Sequence, residues 1–143
     1  MGDKKYYNPS KGGRGHTGSG GFVDADGAIV QDYKTVDVVN GVKVLKHLTG
    51  EDKLPLYSNS PNTQYFKMNS EGRIQQFRKY KGRQPHIDFE WGHTHGKYKI
   101  HYHLWKTKKG QTPIRGKPKE LTKRMYNFYK KYLNGVAPTP NFT

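Results

Sequence analysis

The chain has 143 residues, enough for one hydrophobic core and too few for two independently folded domains. Its 26 Lys and Arg against 11 Asp and Glu give a net charge of +15, which leaves RNA, DNA, an acidic membrane surface or an acidic protein as partners. The absence of cysteine excludes disulfides, thiolate metal sites and cysteine nucleophiles, and there is neither an apolar run approaching the ~20 residues of a membrane span nor an apolar N-terminal signal segment.

Residues 1–21 are rich in Gly, Ser and Lys with almost no apolar partner, and are expected to form a flexible leader or linker. His16 belongs to that leader and is given no catalytic role. A single domain is expected over 22–135, followed by a tail over 136–143. In the run 35–45, Asn40-Gly41 separates two β-branched stretches and predicts a hairpin. Residues 49–63 contain Gly50, Pro55 and Pro61 and read as a long irregular connection, placed to cover an edge or border a site. Strands follow at 64–68 and 73–80, joined by a turn at 69–72 and closed by Lys81-Gly82. Two more, 86–91 and 98–105, flank a six-residue loop at 92–97. Beyond a loop at 109–117, Pro118 is placed to open a helix in which Leu121, Met125, Phe128, Tyr129, Tyr132 and Leu133 recur at helical spacing up to Asn134-Gly135. The elements predict an α+β domain: a mainly antiparallel meander with a His-rich hairpin, packed against at least one C-terminal helix. Hydrophobic residues make up only 31% and aromatics 13%, so its core should be thin and aromatic-rich.

Charge is unevenly spread. Residues 1–71 carry 9 basic and 8 acidic side chains, net +1, while 72–143 carry 17 and 3, net +14. A basic run is usually a solvated face, but so steep an asymmetry assigns the polyanion contact to the second half.

That half also holds the histidine hairpin. Alternation sends Ile87, Phe89 and Trp91 to one face and His86, Asp88 and Glu90 to the other. It likewise sends Tyr98, Ile100, Tyr102 and Leu104 inward, opposite Lys99, His101, His103 and Trp105. A six-residue loop then sets Glu90 against Lys99, Asp88 against His101 and His86 against His103. His93 and His95 sit at the loop end, with Arg78, Lys79 and Arg83 approaching from the neighbouring strand. Three readings compete. The row is an ordinary polar face; or His101-x-His103, His93-x-His95, His86 and Asp88 ligate zinc, nickel or manganese; or two histidines act without metal as general base on an RNA 2′-hydroxyl and general acid on the leaving 5′-oxygen. In the last, Lys or Arg stabilises the phosphoryl charge and Asp88 orients His101. Trp91 belongs to the core, whereas Trp105 is placed to stack on bases. Tyr126, Tyr129 and Tyr132 form a packing stripe, and Lys123, Arg124, Lys130 and Lys131 are available for nonspecific phosphate contacts.

The stretch Ser58-Asn-Ser-Pro-Asn-Thr-Gln-Tyr-Phe66, then Gly72-Arg-Ile-Gln-Gln-Phe-Arg-Lys-Tyr80, His86-Ile-Asp-Phe, Gly92-His93 and His101-Tyr-His-Leu-Trp105 resembles the C-terminal nuclease domains of bacterial polymorphic toxins, the cargo of LXG, Rhs and contact-dependent inhibition proteins. The resemblance spans 54–115. It implies the barnase/EndoU/colicin/RelE class of metal-independent RNases, with no cofactor and with Asp88, His93, His101 and His103 as the catalytic set. Arg78, Lys79, Arg83, His86, His95, Lys99, Trp105 and Arg115 complete the expected nucleic-acid surface. It also implies an acidic cognate immunity protein and a secreted or delivered effector acting in the target-cell cytoplasm. The expected reaction is transphosphorylation to a 2′,3′-cyclic phosphate, by His101 with His93 or His103. Two rivals stand beside it: a metal-dependent DNase or RNase that uses the histidines as ligands, and a non-catalytic nucleic-acid-binding module.

Overall fold

A computed structural model describes residues 21–23, 29–31, 33–48, 53–92 and 100–142. Strands β1 (Gly21–Val23) and β2 (Ile29–Gln31) pair as a small separate sheet. The main sheet is built from β3 (Tyr33–Val39), β4 (Val42–His47), β5 (Gln64–Met68), β6 (Ile74–Lys81), β7 (Gln84–Glu90) and β8 (His101–Lys106). Two short strands, β9 (Ile114–Arg115) and β10 (Lys119–Glu120), precede helix α1 (Lys123–Leu133). The order is β10-β8-β7-β6-β5-β4-β3, with β9 also on β8. Pairing is antiparallel apart from β4 with β5, which run parallel because the irregular connection carries the chain back along the sheet before β5 begins. This is an α+β fold, mainly an antiparallel meander with one C-terminal helix.

Local chemistry accounts for the joints. Asn40 and Gly41 both take positive φ, 52° and 77°, which suits the turn twist of a two-residue hairpin. The Asn40 Nδ2 also donates to the carbonyls of Tyr132 and Asn134, each at 2.9 Å. It thereby satisfies acceptors left over at the C-terminal end of α1. The helix begins later than Pro118. Lys119 and Glu120 pair with Tyr102 and His101, so the chain is still extended there, and Thr122 supplies the N-cap by accepting from the Met125 N–H at 3.2 Å. Leu121 is therefore a core residue that precedes the helix.

The sheet has two different faces. On one, Val42, Val44, Phe66, Phe77, Ile87, Phe89, Trp91 and Ile100 bury against Leu121 and Leu133. Each large side chain fully buried there contributes about 1.5–3 kcal/mol. Tyr132 stacks on Phe77 at 5.3 Å and Tyr129 packs on Phe89 at 4.8 Å, so the tyrosine stripe is packing surface. Phe128, which recurs at the helical spacing, is 66% exposed, and Leu104, expected inside, is also exposed. The opposite face holds Tyr33, Leu45, Leu54, Tyr65 and Tyr80, together with a polar row on β6, β7 and β8. Its cover comes from the irregular segment after β4: the Tyr80 hydroxyl donates to the Pro55 carbonyl, and the Ser58 hydroxyl lies 3.2 Å from that of Tyr65.

The β7–β8 register differs from the expected one by two residues. Glu90 lies opposite His101, Asp88 opposite His103 and Ile87 opposite Leu104. The shift preserves which residues share a face but changes every partner. The β7–β8 ladder ends at the Glu90–His101 pair, and Trp91 beyond it bonds to β6. The Trp91 backbone N–H donates to the Gln75 carbonyl at 3.2 Å and its indole N–H to the Ile74 carbonyl at 3.0 Å. The connection therefore runs from Trp91 to Ile100. Residues 93–99 lie outside the described residues, as do His16, His93, His95 and Lys99 with the roles expected of them.

Candidate active site on the polar face

Asp88 is the anchor of the polar face and is wholly buried. It accepts from Arg78 Nε at 2.7 Å, Arg78 Nη2 at 3.0 Å, Gln76 Nε2 at 3.0 Å and Arg115 Nε at 3.2 Å. None of these bonds goes to His101, so the expected Asp88–His101 pair is replaced by a double arginine clamp. Its physical reason is the register, which puts Glu90 rather than Asp88 across from His101.

Arg78 is consumed by this clamp. Its remaining donor, Nη1, reaches the carbonyls of Leu54 at 3.3 Å and Pro55 at 3.1 Å, and only 6% of the residue is exposed. Burial alone would lower its pKa, but the charge and hydrogen bonds of Asp88 outweigh that, and the net direction is upward. Arg78 thus holds the face together instead of meeting a phosphate. Its guanidinium carbon lies 4.9 Å from the ring centre of Trp105, so one face of the indole is covered by Arg78 where a base was expected to stack. Burial raises the pKa of neighbouring Tyr80, which stays neutral while its hydroxyl tethers Pro55.

Beside this buried network, Glu90 gathers the reactive groups. Its Oε1 lies 3.5 Å from His101 Nε2 and 3.5 Å from His103 Nε2. Its Oε2 accepts from Arg115 Nη2, so the same guanidinium joins Asp88 and Glu90 by reaching across β8 from β9. His103 is held from behind. Its Nδ1 lies 2.9 Å from the Gly116 carbonyl, which can only accept, so Nδ1 carries a proton and Nε2 is the free nitrogen when the ring is neutral. Gly116 sits against β8 with its N–H donating to the Leu104 carbonyl at 2.7 Å. A Cβ at residue 116 would stand 2.5 Å from that carbonyl oxygen, so only glycine allows the approach.

Comparison with family models, curated proteins and solved structures returns no match.

The site therefore rests on its own geometry. Of the residues expected from the sequence, His101, His103, Asp88, Arg78, Trp105 and Arg115 converge on one face. Lys79, His86 and Arg83 do not join them. Lys79 follows Phe77 on the helix-bearing face, where its Nζ donates to Asn62 O at 2.7 Å and Gln64 Oε1 at 3.0 Å. A bulge, with Lys79 opposite Ile87 and Tyr80 opposite Pro85, leaves His86 without an opposite residue and breaks the alternation that placed it in the row. Arg83 lies in the turn just before β7, roughly 20 Å along the chain from Glu90. Glu90 and Gly116 were absent from the expected set. Glu90 follows once the register is known, and nothing in the sequence near Gly116 marks it.

Glu90, His101 and His103 also place one carboxylate oxygen and two imidazole nitrogens within 4.8 Å of one another, a donor set suited to a divalent metal. This differs from the ligand set expected from sequence, which drew on His86 and Asp88. Among the described residues no helix is long and apolar enough to cross a membrane.

Proposed function

We propose that the chain is a ribonuclease of the kind carried by toxins, cleaving RNA by metal-independent general acid–base transphosphorylation. The observation that carries this reading is the meeting of two imidazole Nε2 atoms on Glu90 Oε1 while Arg115 occupies Oε2. With both histidines neutral, the charges of Asp88, Glu90, Arg78 and Arg115 cancel. A dication would enter a site with no net negative charge, beside the Arg115 guanidinium. A phosphodiester meets instead a partly exposed arginine and two proton carriers, so the charge pattern supports phosphate over metal.

His103, with its proton fixed on Nδ1, takes the 2′-hydroxyl proton at Nε2. The 2′-oxygen attacks phosphorus, the P–O5′ bond breaks, and His101 Nε2–H protonates the departing 5′-oxygen, leaving a 2′,3′-cyclic phosphate. Glu90 accepts from whichever imidazole carries a proton at Nε2 and so orients both rings. Arg115 stabilises the charge developing on the phosphoryl oxygens, and Asp88 positions Arg115. The RNA is drawn by the +14 charge of residues 72–143. The cognate inhibitor is an acidic immunity protein that covers the same face, and the site of action is the cytoplasm of a target cell receiving the protein as an effector.

Purified chain is incubated with total RNA and with plasmid DNA, each with and without EDTA, and the products are analysed for cyclic phosphate ends. Cleavage of RNA that survives EDTA, ends in cyclic phosphate and is abolished by His101→Ala with a cooperative melt retained is the expected result. Activity lost with EDTA would make Glu90, His101 and His103 ligands, and absence of any product would leave a binding module.

A further inference from the structure

We infer a second phosphate-binding surface on the helix-bearing face of the sheet, formed by Lys79, Lys81, His86 and Lys131 beside exposed Phe128, that holds single-stranded RNA apart from the site of cleavage. It takes RNA as the partner from the reading above, and assigns work to residues that the polar face leaves unused.

The topology brings these residues together. Phe77, Lys79 and Lys81 alternate along β6 on the side covered by α1, and the stack of Tyr132 on Phe77 sets the last turn of the helix over that strand. Lys131, the residue before Tyr132, has its Nζ 5.1 Å from the Tyr132 ring centre and 6.0 Å from that of Phe128. The bulge at His86 leaves Lys81 and Lys79 as its charged neighbours.

The cluster is not neutralised. Lys79 donates only to neutral oxygens of Asn62 and Gln64, and none of the four side chains is ion-paired to a carboxylate among the described residues. Burial and then Lys131 lower the pKa of Lys79, while burial and then Lys81 and Lys79 lower that of His86. The charge on Lys79 is thus held at a cost in repulsion from Lys131 that a bound anion would relieve. α1 contributes Lys123, Arg124, Lys130 and Lys131 and no acid, so the repulsion is not screened from the helix either. Phe128, 66% exposed and three residues before Lys131, supplies the element that separates a nucleic-acid surface from a merely solvated one: an aromatic ring open to a base, beside cations open to phosphates.

A fluorescent 2′-O-methyl oligoribonucleotide, which lacks the hydroxyl needed for cleavage, is titrated with the intact chain and with the Lys81→Gln/Lys131→Gln double variant. Anisotropy is read over a range of salt concentrations. Both lysine side chains are exposed and make no hydrogen bond, so the variant is expected to keep the fold. The expected result is several-fold weaker binding with a log–log salt slope shallower by about 1.4, two phosphate contacts at ~0.7 each on a single strand. The ring signals of His86 in an NMR titration should move on adding the oligonucleotide. An unchanged slope together with unmoved His86 signals would overturn the assignment. So would equal displacement by polyglutamate of the same charge, which would mark the surface as one for an acidic protein. The probe cannot be cut, so a chain that passes this test yet leaves total RNA intact would lose the ribonuclease reading and keep the second surface.

Discussion

Asp88→Asn removes one charge with almost no change of shape, at the point on which the polar face depends. The carboxylate accepts one N–H on Oδ1 and three on Oδ2. An amide keeps the oxygen toward the three and turns its NH₂ toward Arg78 Nε, so a donor faces a donor 2.7 Å away in a wholly buried position. Arg78 meanwhile keeps a buried positive charge whose remaining acceptors, the amide oxygen of the variant and the carbonyls of Leu54 and Pro55, are all neutral. Removing one partner of a buried pair costs about 3–5 kcal/mol, a large part of the ~5–15 kcal/mol that holds an ordinary domain together. With a denaturant dependence of about 2 kcal/mol per molar, the urea midpoint should fall by roughly 2 M at unchanged slope. Equilibrium urea unfolding followed by tryptophan fluorescence measures this directly. The double variant Arg78→Met/Asp88→Leu should recover much of the loss, because neither charge is then stranded. A loss below about 1 kcal/mol for Asp88→Asn, or a double variant no better than the single one, would show that the charge pair does not hold this face.

Gly116→Ala places a methyl group 2.5 Å from the Leu104 carbonyl oxygen, so residue 116 must retreat and take its own carbonyl away from His103. RNA cleavage should drop by about 10- to 100-fold, mainly in kcat, with the circular dichroism of the sheet retained; an unchanged kcat would remove His103 from the reaction. Asn40→Gly keeps the positive φ of 52° but loses both bonds to the end of α1, and thermal unfolding should register a loss of about 1 kcal/mol. The His86 pKa is lowered from its ordinary 6.5 in the folded chain, so the unfolded chain takes up the proton first as pH falls. Stability from this source is complete above 6.5 and is lost as pH drops from there through the folded value. His86→Gln should flatten that acid-side decline in a series of urea titrations from pH 7.5 to about 4.5, and an identical decline would assign the acid sensitivity elsewhere.

Much of the fold was legible because its signals are local. Asn40-Gly41 predicts the hairpin of β3 and β4, β5 falls at 64–68 as expected, and the helical spacing from Met125 to Leu133 predicts α1. Alternation also separated Asp88, Glu90, His101 and His103 from buried Ile87, Phe89 and Ile100, though not His86 or Leu104. What failed depends on longer-range pairing. The six-residue loop follows from the strand limits read by alternation, but faces alone do not distinguish registers two residues apart, and the observed one moves His101 from Asp88 to Glu90. The bulge at His86 is likewise set by a neighbouring strand, and so is the fate of Arg78, whose donors turn to the Leu54 and Pro55 carbonyls of a segment with no periodic pattern. Charge counting located the basic half, but it did not divide the cations between two faces of one sheet.

The bonds from Asn40 to Tyr132 and Asn134 join positions 92 and 94 residues apart. During synthesis the hairpin leaves the ribosome long before its helical partner. Until residue 133 arrives, Val42, Val44, Phe66, Phe77 and Phe89 have no helix to cover them, whereas Asp88, Arg78 and Arg115 can already close on the other side. The nascent chain is thus most adhesive on the side away from the histidines, where a chaperone would bind it, and a chain stopped before residue 133 would expose that side permanently.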